Sequence, residues 1–124
     1  SVLFCMASYA QKNTKISTID FVRVLNYNKK ETVFYYENNW KVLRKMAIKN
    51  EYILSYQLLE TTPTNEAPFS FILITTYRNK QQFDKREKHF EELIKRKGKL
   101  KLLNSKKPGE FRKTIFGKNV FHKE

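Results

Sequence analysis

The apolar residues of this chain fall into six blocks, and their spacing switches between a period of two and a period of three to four. From residue 16 the blocks run strand, helix, strand, strand, helix, strand. Ile16–Leu25 (ISTIDFVRVL) sets Thr18, Val22 and Val24 on one face and Ile19, Phe21 and Leu25 on the other. Lys29–Asn50 carries Val33, Tyr36, Trp40, Leu43 and Ala47 at helical spacing with no Gly or Pro. Asn28 is placed to cap its start, with Glu31 completing a capping box, and Asn50 to end it. Tyr52–Thr61 (YILSYQLLET) alternates again, with Tyr52, Leu54, Tyr56 and Leu58 opposite Ile53, Ser55, Gln57 and Leu59. Thr62–Pro68 suits a hairpin and is too short for a crossover. Phe69–Tyr77 (FSFILITTY) is the most apolar block, with Phe69, Phe71, Leu73 and Tyr77 opposite Ile72 and Ile74, as in a central strand. Asn79 caps a second helix, Lys80–Lys97, whose apolar positions are Phe83, Phe90, Leu93 and Ile94, and Gly98 stops it. Lys99–Gly109 is a loop or a short turn of helix held down by leucines. Glu110–Phe116 reads as the last strand, and Val120 and Phe121 pack in a C-terminal extension.

Two helices can cover only one face of a sheet, yet the strands are apolar on both. A large bare apolar face is a liability in a monomer, and a two-fold interface removes it with a single patch. A homodimer is therefore expected. The competing arrangement is a monomer in which Lys99–Glu124 folds over the second face.

The element order, Tyr36–Trp40 in the first helix, and the strand pair YILSYQLLET and FSFILITTY together resemble the dimeric α/β-barrel superfamily over roughly residues 15–117. The resemblance implies an α+β, ferredoxin-like βαββαβ fold with a four-stranded antiparallel sheet. Two helices would lie on one face, and the other face would dimerise into an α/β barrel. The superfamily includes antibiotic-biosynthesis monooxygenases, stress-responsive barrel proteins and muconolactone isomerases. Its implication for function is a small apolar or aromatic ligand, with cofactor-free monooxygenase chemistry as one alternative. These are architectural signals with no catalytic fingerprint, so whether the protein is an enzyme is left open and no cofactor is called for.

Ser1–Ala10 (SVLFCMASYA) has the composition of the tail of a signal peptide, with cleavage near Ala10 and export to the periplasm or beyond. A lipoprotein reading of Cys5 is opposed by Phe4 before it. The remaining residues, 11–124, make a single domain without cysteine, so neither a disulfide nor a thiolate metal site is expected there. Stability must then come from the core, which about 110 residues can supply. No apolar run reaches the length of a membrane span.

Net charge is +13, and Lys95–Glu124 holds eleven Lys or Arg against Glu110 and Glu124. Such a segment can dock on an acidic partner or membrane surface, which is the alternative function to ligand binding. It also suits a plainly soluble basic surface. An RNA-recognition sheet is opposed by the third strand, which lacks the Gly and basic residue of an RNP1-like string. The two histidines, His89 and His122, have no metal-ligand spacing around them, so no metal site is expected. His89 alone is placed to serve as a haem ligand, and its Lys and Glu neighbours suit a solvated helix better.

The remaining candidates for a ligand site are Tyr36, Asn39 and Trp40 on the first helix, Tyr56 and Tyr77 on strands, and His89. Tyr36 and Trp40 equally suit the core. Asp20 and Arg23 interrupt the first strand on opposite faces, so one of them projects inward and needs a partner or ligand. Arg23 is the candidate anion anchor.

Overall fold

β-branched and aromatic residues form four strands in a computed structural model that describes residues 13–123. The expected signal-peptide tail, Ser1–Ala10, lies outside the described residues. The strands are β1 (Ile16–Val24), β2 (Ser55–Glu60), β3 (Phe71–Tyr77) and β4 (Arg112–Phe121). They form one sheet in the order β2-β3-β1-β4, and every neighbouring pair is antiparallel. β4 is longer than expected and takes in Val120 and Phe121. Its register steps between Phe21↔Phe116 and Val22↔Thr114, leaving Ile115 as the extra residue of a bulge.

The first helical rod runs as α1 (Lys29–Tyr35), a π-helical segment (Tyr36–Trp40) and α2 (Lys41–Lys49). The expected capping box does not form. Asn28 is engaged elsewhere: its amide donates to the Glu110 carbonyl at 3.2 Å and its Oδ1 accepts from Lys106 Nζ at 2.6 Å. Glu31 accepts from Asn104 at 3.0 Å. Partners distant in sequence outcompete the local cap. The second helix is broken at Lys85 into α3 (Lys80–Asp84) and α4 (Arg86–Lys97). There the Arg86 guanidinium takes the Phe83 carbonyl at 3.1 Å and lies over the Phe83 ring at 3.8 Å, a side chain competing with the helical ladder. The Asn79 cap forms, accepting from Gln82 N at 2.9 Å, and Gly98 ends α4 at φ 83°. Pro108–Phe111 is a helical turn, α5, so Glu110 and Phe111, expected to open the last strand, precede it.

All helices among the described residues pack on one face of the sheet. One core cluster gathers Val22, Tyr36, Phe71 and Leu73, and the other gathers Ala47, Ile53, Tyr77 and Leu93. Each large aliphatic side chain so buried stabilises the fold by about 1.5–3 kcal/mol. The Lys99–Lys107 segment is tied to the first helical rod through Asn28, Glu31 and Asn39. It therefore does not cover the second face of the sheet. That face carries a row of apolar side chains across all four strands, Leu59, Ile72, Phe21 and Phe116, set side by side by the register. Phe21 stacks on Phe116 at 4.5 Å, and Phe69 meets it edge-on at 4.8 Å. Phe69 was expected beside Phe71. It precedes the strand, and its ring turns to the opposite face. Leu59 and Phe116 are 41% and 47% exposed.

Candidate functional site

Arg44 stands on α2 four residues after Trp40 and three before Ala47, a position on the rod's apolar stripe. Packing of the rod on the sheet forces this side chain inward. Its Nε donates to Thr75 Oγ1 of β3 at 3.1 Å. The guanidinium carbon lies 4.4 Å from the ring centres of both Trp40 and Phe90, so two aromatic faces sandwich the cation. Burial lowers its pKa to about 10, against the pull of Tyr77 and Asp20, and it stays charged at neutral pH. Its terminal N–H groups bond to no described residue and are not sealed from solvent.

Those groups open into a cavity of about 400 Å³ between the sheet and the helices. Thr18, Asp20, Tyr77, Gly117, Lys118 and Asn119 line it from the strands, and Leu43, Arg44, Arg86, Glu87, Phe90 and Ile94 from the helices. Asp20 faces this cavity, opposite Gly117 in the register. A Cβ at residue 117 would stand 2.6 Å from Asp20 Oδ1, so the missing side chain is what makes room for the carboxylate. Burial raises the Asp20 pKa, and the Arg44 charge only partly offsets this. Gly117→Ala is expected to swing the carboxylate toward the cavity mouth with little loss of stability, since a side-chain end can move where backbone cannot. A crystal structure of the variant would show the rotamer.

The raised pKa has a definite sign for stability. Between the ordinary carboxylate value of 3.8 and the raised one, the folded chain holds more protons than the unfolded chain. Stability therefore falls as pH rises through that window, and the loss persists at neutral pH. Asp20→Asn is expected to raise the melting temperature at pH 7 and to have no such effect near pH 3, which calorimetric scans at the two pH values will show.

The residues picked from sequence do not form one site. Tyr77 lines the cavity, while Trp40 and Tyr56 stand beside it, Trp40 against Arg44 and edge-on to Tyr56 at 5.8 Å. Tyr36 is in the other core cluster, and burial pushes its pKa up to about 12. Asn39 is buried in the π-helical segment as a structural hub. Its amide donates to the Tyr35 and Lys101 carbonyls, and its Oδ1 accepts from Lys101 N and Lys97 Nζ, all within 2.9 Å. Asn39→Ala removes four hydrogen bonds made from a buried side chain and is expected to cost about 1–3 kcal/mol, measurable by urea titration. His89 stacks on Tyr52 at 3.6 Å, away from the cavity, and burial lowers its pKa. Arg23 is exposed on the open sheet face beside its cross-strand neighbour Lys113. Of the two charges that interrupt β1, Asp20 is the inward one. Arg44 was missed, although a charge at a stripe position was the available signal.

No helix among the described residues is long and apolar enough to cross a membrane. No family model matches the chain, and no curated protein matches it. Among solved structures it is similar to HapK from Hahella chejuensis, at 9% identity and a TM-score of 0.53, over 86% of this chain and 91% of that one. With the strand order and the one-sided helices, this shows a ferredoxin-like α+β fold.

Proposed function

We propose that this chain is the subunit of a homodimeric α/β barrel that binds a small, largely apolar or aromatic ligand between its sheet and its helices. The observation that carries the ligand reading is the cavity of about 400 Å³ into which a sandwiched, incompletely bonded arginine opens. Its size, the Tyr77 and Phe90 rings and the charged groups around them suit a small molecule with an apolar body and a polar end. The open row Leu59, Ile72, Phe21 and Phe116 supports the dimer, because a second copy presents the same row. Thermal-shift measurements with a panel of aromatic compounds test the ligand reading. A rise in melting temperature that Arg44→Gln abolishes supports it, and no shift with any compound rejects it.

Cofactor-free monooxygenase-like turnover is an extension of this reading, and oxygen uptake with a bound phenolic compound tests it. The alternative, a basic C-terminal docking segment, has weaker support. Two of its cations are occupied internally, Lys97 by Asn39 at 2.8 Å and Lys106 by Asn28 at 2.6 Å. It requires salt-dependent binding to anionic liposomes. Export is proposed on the composition of Ser1–Ala10 alone, and the N-terminal residue of the protein purified from its own cells tests it.

A further inference from the structure

We propose that the ligand of this cavity is an anion with a planar oxyanion group, a carboxylate or its equivalent, gripped by the Arg44 fork, and that a proton on Asp20 accompanies its binding. This rests on the reading of the cavity as a ligand site and names the chemistry of what enters.

A guanidinium presents parallel N–H donors that match a carboxylate in a bidentate pair. Among the described residues Arg44 commits only Nε, to Thr75. Its remaining donors face the cavity, and the sandwich of Trp40 and Phe90 keeps the head in place. A half-buried cation with no bonded counter-ion among the described residues is costly to hold, and an incoming anion relieves that cost. Asp20 does not do so. It lies within electrostatic reach of Arg44 but forms no ion pair with it within 4.0 Å, and Arg44 acts on it only at a distance. The apolar cavity wall, Leu43, Phe90 and Ile94, suits the hydrocarbon part of the ligand.

Asp20 gives the site its pH dependence. The charged and titratable groups around it are Tyr36 on the π-helical segment, Arg44 on α2, Tyr77 on β3, Arg86 and Glu87 on α4, and Lys118 on β4. Ionised, Asp20 repels a bound carboxylate. Protonated, it donates a hydrogen bond to it. Burial has already moved Asp20 toward the protonated form. Affinity is therefore expected to rise as pH falls through the Asp20 titration, until the ligand itself protonates.

Titration calorimetry of the full chain with benzoate and 2-naphthoate, against benzamide and 2-naphthamide as neutral isosteres, tests this. Trp40, the single tryptophan, carries the Arg44 cation on its ring, so its emission is a second readout at the site. The carboxylates are expected to bind at least about 10-fold more tightly than the amides. Arg44→Gln is expected to weaken carboxylate binding about 10- to 100-fold, with Arg44→Lys between. Asp20→Asn keeps Arg44 and its packing. It is expected to tighten carboxylate binding at neutral pH and to flatten the pH dependence. Amides binding as tightly as carboxylates would overturn the anion inference while leaving the small-ligand reading standing. Binding of neither at millimolar concentration would overturn both. Carboxylate binding unchanged in Arg44→Gln would place the anion on surface cations and also overturn it.

Discussion

Replacing Leu59 and Phe116 together by Glu is expected to yield a folded monomer, against the dimer proposed for the parent chain. Both side chains lie on the face of the sheet that no helix among the described residues covers, at the two ends of the row that crosses all four strands. At 41% and 47% exposure, neither belongs to the helix-side core clusters. Within one subunit the exchange is a surface substitution, costing about 0.5 kcal/mol or less per site, plus what Phe116 loses from its stack on Phe21. Across a two-fold interface the same exchange buries carboxylates from both copies without partners, at several kcal/mol per charge. The dissociation constant should rise by about a thousand-fold or more. Light scattering at several concentrations reads the mass, and circular dichroism confirms the fold. A parent chain that is monomeric, or a variant that still dimerises, places the contact elsewhere and removes the barrel from the proposal.

The architecture was legible because it depends on periodicity. The alternation in ISTIDFVRV and FILITTY fixes which side chains share a face, and the register bears this out for Val22 with Phe71 and for Phe21 with Ile72. What periodicity could not supply was competition between distant groups. Asn28 fits the pattern of an N-cap, but Glu110 and Lys106, some eighty residues on, claim its side chain. Arg86 breaks a helix that propensity alone would have continued. The site was less legible for the same reason. Asn39 and Tyr36 look like pocket residues by type, but their surroundings make one a hub for the Lys99–Lys107 loop and the other core. The sequence marks Arg44 only by its place on the apolar stripe of its helix. Its burial comes from Trp40 and Phe90, brought together only when two helices meet on the sheet.

Phe111→Ala is expected to be the most destabilising of the single substitutions considered, at about 3–5 kcal/mol. The ring is fully buried, with Tyr35 edge-on at 5.3 Å. Its carbonyl accepts from Leu25 N at 2.8 Å and stands 3.0 Å from the Thr32 hydroxyl, which locks the end of α5 to both β1 and α1. Alanine retains those backbone acceptors, so the loss is that of packing and of the cavity left behind. Against a typical domain stability of 5–15 kcal/mol, this removes a large fraction. In urea the midpoint should fall with an unchanged slope, and Phe121→Ala, at a side chain 68% exposed, should move it little. The consequence reaches both proposed surfaces, because Phe111 is the last residue before β4. That strand carries Gly117 and Asn119 into the cavity and Phe116 onto the open face. Loosening its anchor should weaken carboxylate binding and dimerisation together. Phe111→Leu, which keeps most of the volume, should spare both. A variant that loses several kcal/mol of stability yet keeps full affinity at both surfaces would show that β4 is held by its ladder with β1 and not by this anchor.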